Sequence, residues 1–431
     1  MSIEFSLCLL TVFVLAAFGS PIAISMLVGA IVYLISSGQD IALAGEQILQ
    51  GLYNSFILLA VPLFIVAANI MNAGSISDRL LTFCKAIVGH LRGGMGHVNV
   101  VSSLIFSGMS GSAVADAAGV GKVVIGMMTK DGRYRPGYAA ALTAASATIG
   151  PIIPPSIPMV IYALVSGASV GYLFIAGLVP GLIMGAVLMA MNYIQSTRHQ
   201  VVKEEAVPLK ELPGITWRAF PTLLMPAILL YGIYGGVTTP TEAAAVAAAY
   251  ALFLALAVYR SISFKKLVKV FTESAHTSAS VGLVISAALI FNYIVATENI
   301  PTQIAALLSA MDLTQFQFLM VVNVTFLLLG MVLDATTVIL IVVPLLIPAC
   351  RELGVDLVHF GIITVVNLMI GLITPPYGIL LFVINGTTNI AINDIIRNVL
   401  PFMVVLIGAL IILTALPDLV LYMPRLFGYQ G

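Results

Sequence analysis

Two short stretches of this 431-residue chain gather oxygen-bearing side chains and glycine within apolar sequence. The first reads Phe106-Ser107-Gly108-Met109-Ser110-Gly111-Ser112-Ala113, and the second Gly330-Met331-Val332-Leu333-Asp334-Ala335-Thr336-Thr337. Hard cations are bound by oxygen, and small residues let carbonyls and hydroxyls close around an ion. Ser107, Ser110 and Ser112, with the backbone at Gly108 and Gly111, offer such oxygens without any carboxylate. That set suits a monovalent ion such as sodium better than calcium. In the second stretch Asp334 is one of few acids inside a hydrophobic segment, and an intramembrane carboxylate is a functional hypothesis by default. It could balance a cation with Thr336 and Thr337 beside it. Simpler roles stay open: Ser110 or Ser112 caps the helix that follows, and Asp334 caps the helix starting at Ala335. A capping hydroxyl leaves its backbone carbonyl able to ligate. Asp116, slightly further along the first segment, is open between a pair with Lys122 and a contact with another cation.

Each stretch has a partner downstream. Gly150-Pro151-Ile152-Ile153-Pro154-Pro155 and Gly371-Leu372-Ile373-Thr374-Pro375-Pro376 repeat one pattern at a spacing of 221 residues. Glycine lowers the cost of leaving a helix, and paired prolines remove two amide donors and clash with the preceding turn. A helix breaks at each place and opens its carbonyls, adding Gly150, Pro151 and Pro154 to the first oxygen cluster and Gly371, Thr374 and Pro375 to the second. In lipid such a break is tolerated only where protein or a cavity surrounds it. Four half-helices then start near one depth, after Ser112, Pro155, Asp334 and Pro376. Their free amides suit an anionic head group, a carboxylate or sulfonate beside the cation. Ser112, Pro155, Ser156, Tyr377 and Asn385 are candidate lining residues for it.

The elements that must hold these groups are membrane helices. The chain is 60% hydrophobic and 8% charged, with a mean hydropathy of +1.11, whereas soluble domains carry roughly a quarter charged residues. Apolar segments long enough to cross a bilayer recur throughout. Crossings are predicted at about 3–18, 21–37, 53–73, 138–166, 169–195, 220–236, 242–259, 273–296, 356–388 and 394–416. Re-entrant hairpins are predicted at 97–129 and 316–349. The result is an all-α integral membrane protein in two halves, 1–195 and 220–431, joined by a cytoplasmic linker over 196–219. Each half holds five crossings, one hairpin and one broken helix. Five is odd, so the second half enters the membrane inverted relative to the first.

Charge supports that threading. One side receives Arg79, Lys85, Arg92, Lys130, Arg133, Arg135, Arg198, Lys203, Lys210, Arg218, Arg260, Lys265, Lys266, Lys269 and Arg397; the other receives Arg351 and Arg425, and Lys122 falls within the first hairpin. Cytoplasmic loops carry the excess of Lys and Arg, which makes the basic side cytoplasmic and both termini external. Inverted repeats with broken helices at the midplane mark secondary transporters. Other chemistries find little support. Gly119-Val120-Gly121-Lys122 approaches a phosphate loop but has Asp116 and Val123 where that motif needs Gly and Ser or Thr, so ATP hydrolysis is not indicated. No nucleophile–base pair, ring of pore charges or nucleic-acid motif is visible, and Cys8, Cys84 and Cys350 read as small core hydrophobes.

The motifs Ser107 to Asp116, Gly150 to Ser156, Gly330 to Asp334 and Gly371 to Gly378, in this order and over the whole length, resemble those of the large membrane subunit of tripartite ATP-independent periplasmic (TRAP) transporters. The resemblance implies an elevator-type, sodium-driven carrier of organic anions in a bacterial inner membrane. It further implies a small four-helix membrane subunit as a separate polypeptide, and an extracytoplasmic solute-binding protein that docks outside. On this reading the hairpins and broken helices form the moving domain, and helices at about 3–37 and 220–259 form the scaffold. No cofactor is expected beyond Na+. A stand-alone cation-coupled anion carrier of related hairpin fold, without a binding protein, is the competing expectation.

Overall fold

The structure, a computed structural model, describes residues 2–73, 76–198 and 206–431, and these are helical with no β-strand. In the first half, Ser2 caps α1 (Ile3–Ala17), and Gly19 and Pro21 turn the chain into α2 (Ile22–Ser36). α3 (Ala42–Tyr53) is a short helix that leads through a 3-10 turn at Phe56–Leu59 into α4 (Ala60–Ala73). α5 (Ile76–Val88) buries Leu80, Leu81, Cys84 and Val88, an i, i+4 stripe. The first hairpin is α6 (Gly94–Ser110), then α7 (Ala113–Asp116), a π-turn at Ala117–Gly121, and α8 (Lys122–Thr129). The broken crossing is α9 (Pro136–Ala147) and α10 (Ile157–Ser166), and α11 (Val170–Arg198) closes the half.

The second half begins with α12 (Leu212–Tyr234). A Thr239–Glu242 capping box opens α13 (Pro240–Phe253), and α14 (Phe264–Thr297) and α15 (Ile300–Ala310) follow. A second capping box, Thr314–Gln317, starts α16 (Gln315–Gly330), and Asp334 caps α17 (Ala335–Glu352), the other hairpin arm. α18 (Leu357–Gly371) and α19 (Ile379–Thr388) form the second broken crossing, followed by α20 (Ile392–Ala415) and α21 (Pro417–Leu426). α10 and α19 start at Ile157 and Ile379 and end at Ser166 and Thr388, 222 residues apart at both ends.

Two layers result. α2 packs on α14, α13 on α4, and α4 on α14, while α9 packs on α20, α16 on α18 and α10 on α17. The inner half-helices are enclosed on all sides: Gly137 to Ala147 of α9 and Val358 to Gly371 of α18 are buried without exception. A helix that is apolar on most of its circumference suits such a position, and the few polar side chains here, among them Thr143, Ser146, His359 and Asn367, are buried with it. Cys8, Cys84 and Cys350 are buried free thiols.

The sequence-based boundaries need three corrections. The segment expected at 53–73 is present as one span, Phe56–Ala73, that opens with a 3-10 turn, whereas its counterpart α14 runs unbroken from Phe264, nine residues before the predicted crossing. The expected linker is shorter: α12 starts at Leu212, and residues 199–205, with Lys203, lie outside those described. The short helices α3, α5, α15 and α21 were not predicted, being too short or too polar to register as crossings. Six helices among the described residues are individually long and apolar enough to span a bilayer; the broken crossings reach that length only by joining two pieces.

Candidate functional site

Each hairpin tip is seated against the break of its own half, and glycine makes the approach possible. Gly111 ends α6 with φ +59°, and a Cβ there would lie 2.4 Å from the Pro155 carbonyl oxygen. At Gly150 a Cβ would meet the Ala113 nitrogen at 3.4 Å. In the second half a Cβ on Gly371 would sit 2.7 Å from the carbonyl carbon of Gly330, and the Gly378 amide donates to Met331 O at 3.3 Å. Both Pro–Pro bonds are cis, Pro154–Pro155 and Pro375–Pro376.

The polar side chains do local work first. Ser112 Oγ accepts from Ala115 N at 3.4 Å and so caps α7, and Ser110 Oγ accepts from Ser112 N at 3.5 Å. The Ser107 hydroxyl donates to Ser103 O. Asp334 accepts from Thr337 N at 3.1 Å and from the Thr337 hydroxyl. The Thr374 hydroxyl donates to Ile370 O at 2.7 Å. Donating hydroxyls keep lone pairs, so none of these bonds prevents ligation of a cation.

The tips and breaks face a common cavity of about 430 Å³ between the two layers, within the range of small-ligand sites. Ser110, Gly111, Ser112 and Pro151 line it from the first half, and Asp334 and Thr336 from the second. The first residues of all four half-helices also line it: Ala113 to Ala115, Ile157 and Pro158, Ala335, and Ile379. Ser107, Gly108, Gly150 and Pro154, and Gly330, Thr337, Gly371 and Thr374, are buried behind that surface; Pro375 is half-buried.

Of the candidate substrate-lining residues, Ser112 is on the cavity. Pro155 contributes its carbonyl to the seat of Gly111 instead. Ser156 is fully buried, caps α10 through Met159 N at 3.2 Å and donates to Pro151 O. Tyr377 is exposed with its ring 5.3 Å from that of Phe382, and Asn385 donates to Ile390 O at 2.7 Å, closing the end of α19. Ser156 turns into the packing of its own helix, Tyr377 faces outward, and Asn385 lies near the far end of α19.

The opposite wall went unpredicted. α4 supplies Ile65, Ala68 and Asn69, and α14 supplies Thr277 and Val281. Asn69 Nδ2 donates to Ser274 Oγ at 2.9 Å, linking the two helices. Two amides in the apolar run of α4, Asn69 and Asn72, were the available signal.

Comparison with known proteins agrees with this architecture. Residues 9–419 match the family described as tripartite ATP-independent periplasmic transporter, DctM component. The chain is 39% identical over 413 residues to the sialic acid TRAP transporter large permease protein SiaM of Vibrio cholerae, covering 95% of this chain and 96% of that one. It is 40% identical over 373 residues to the C4-dicarboxylate TRAP transporter large permease protein DctM of Pseudomonas aeruginosa, covering 86% and 87%. It is 38% identical over 405 residues to the isethionate TRAP transporter permease protein DctMQ of Oleidesulfovibrio alaskensis, covering 94% of this chain and 64% of that longer one. The crystal structure of the Alcanivorax borkumensis YdaH transporter shares the fold, with a TM-score of 0.63 at 15% identity over 86% of this chain and 87% of that one. The chain therefore belongs to the DctM family of tripartite ATP-independent periplasmic transporters and is a large membrane permease subunit, not an enzyme.

Proposed function

We propose that this subunit imports a small organic anion, a carboxylate or sulfonate, in symport with sodium, after an extracytoplasmic binding protein delivers it. The observation that carries the reading is the convergence of four half-helix N-termini on one cavity beside two glycine-seated tips. Free amides and aligned dipoles at such termini favour an anion. The oxygens of Ser110, Ser112, Asp334 and Thr336 at the same cavity favour a hard cation. The names of the relatives, which span sialic acid, C4-dicarboxylate and isethionate, support an anionic cargo.

In this reading the first cation site draws on Ser107, Gly108, Ser110, Gly111 and Ser112 with the opened backbone at Gly150, Pro151 and Pro154. The second draws on Gly330, Asp334, Thr336, Thr337, Gly371, Thr374 and Pro375. Sodium orders both tips against their breaks and so completes the anion site; by linkage, the anion raises sodium affinity by the same factor. The hairpins and broken crossings then move as one body past the layer of α2, α4, α13 and α14, an elevator. A small membrane subunit steadies that layer, and the basic face lies in the cytoplasm of a bacterial inner membrane, with both termini outside.

The test is uptake in proteoliposomes containing this chain, its small subunit and the binding protein, with and without an inward sodium gradient. Uptake requiring both sodium and the binding protein is expected. Uptake with sodium alone would favour a stand-alone anion carrier, and sodium-independent uptake would refute the coupling assignment.

A further inference from the structure

Asp116 stands apart from the tip chemistry. It sits on the second arm of the first hairpin, a turn beyond Ser112, and its amide donates to Ser112 O at 3.1 Å. Its side chain is 1% exposed, and neither carboxylate oxygen has a hydrogen-bond partner. Lys122, the partner suggested by sequence, is exposed on the far side of the π-turn, so that pair does not form. An isolated buried carboxylate carries a desolvation penalty that must be offset by a cation or abolished by neutralisation.

The neighbouring polar groups do not solve the problem. Ser103, whose hydroxyl faces Asp116, donates to Ser146 Oγ at 3.1 Å. Ser146 in turn donates to Asn99 Oδ1 at 2.9 Å, and Asn99 Nδ2 donates to Thr143 Oγ1 at 2.7 Å. Thr143 then donates to Ala139 O at 2.8 Å. All four side chains are buried. The hydrogen bonds of this relay run away from Asp116, and neither carboxylate oxygen gains a partner from it. A carboxylate buried without a compensating partner is stabilised there only by a cation or by a proton. The π-turn at Ala117–Gly121 begins at the next residue; such turns shift the backbone ladder by one residue and recur at functional sites. The equivalent place in the second hairpin, 222 residues on, is Val338, so this buried acid belongs to one half only.

We propose that Asp116 and Ser103 hold a sodium ion enclosed within the first hairpin, additional to the cations assigned to the tips. The inference rests on the sodium-coupled reading above. Bound there, the ion neutralises the carboxylate, so the hairpin crosses the membrane without net charge at that point. Emptied, it leaves an uncompensated buried anion that opposes movement. The ion therefore stays bound while the tip sites load and empty, because the unloaded carrier must return for the next cycle.

The test is equilibrium binding of radioactive sodium to the detergent-solubilised complex of this chain and its small subunit, comparing wild type with Asp116→Asn and Asp334→Asn. The expected result is one sodium fewer per complex in Asp116→Asn. An unchanged sodium count in Asp116→Asn, with a lowered count in Asp334→Asn, overturns the proposal and leaves the tip sites standing. No sodium bound by wild type overturns the coupled reading itself. A measurement independent of how Asp116→Asn folds uses infrared spectra of sodium-saturated Asp334→Asn labelled with 13C-aspartate. A protonated carboxyl band there means that Asp116 carries a proton instead and overturns the sodium assignment; carboxylate bands alone support it.

Discussion

Gly371→Ala isolates the contact between the second tip and its break. The added Cβ would stand 2.7 Å from the carbonyl carbon of Gly330, 2.8 Å from its Cα and 3.0 Å from its oxygen. Ordinary contact begins at 3.4 Å, so the tip must retreat by roughly 0.7 Å. Both surfaces are backbone, and no flexible side chain can swing aside. Ion sites hold their ligands to within about 0.2 Å, and a misplacement of about 1 Å costs on the order of 10²-fold in well-aligned sites. A shift of this size predicts a ten- to hundredfold rise in the sodium concentration for half-maximal uptake, about 1.4–2.7 kcal/mol. The assay is uptake against sodium concentration in proteoliposomes. Gly386→Ala is the control, since a Cβ at Gly386 meets nothing within 4 Å and alanine favours a helix interior. Wild-type sodium half-saturation in Gly371→Ala, with normal insertion, would refute the tip-and-break site.

Four further outcomes follow from the same geometry. Asp334→Asn keeps a good cap for α17 but removes the charge, so it should retain thermal stability while losing sodium-dependent uptake; equal uptake would reduce Asp334 to a cap. Gly111→Ala should be more damaging than Gly150→Ala in the same uptake assay, because its Cβ would reach the Pro155 oxygen at 2.4 Å from a left-handed backbone while the closest contact at Gly150 is 3.1 Å. Ser156→Ala should lower the melting temperature of the complex by removing a buried cap, about 1 kcal/mol. Glu298 holds the start of the chain: it accepts from the Ser2 hydroxyl at 2.7 Å and the Tyr33 hydroxyl at 2.9 Å. The Ser2 hydrogen bond comes first among the contacts that hold its carboxyl below the usual range. A depressed folded value means that this anchoring is present above about pH 4.3 and is lost as pH falls through the lowered value. Hydrogen exchange in α1 should therefore be protected at pH 7, and Glu298→Gln should remove the protection.

Much of this protein is legible locally. Gly150 to Pro155 and Gly371 to Pro376 break their helices wherever the chain is placed, because ring closure and missing amides act within a few residues. Long apolar runs, the basic bias and the repeated spacing likewise need no knowledge of contacts, which is why the hairpins and broken crossings could be placed from sequence. The short helices were harder: α5 carries a buried stripe beside Asp78, Arg79 and Lys85, so its mean hydropathy hides it. Tertiary structure alone decided which faces meet. It turned Ser156, Tyr377 and Asn385 away from the cavity, brought Asn69 and Thr277 onto it from the other layer, and separated Asp116 from Lys122 by burying one and exposing the other. The reason is that a side chain's partner depends on the rotation and depth of neighbouring helices, which packing sets over the whole chain, whereas a break or a cap is settled by the residues on either side of it.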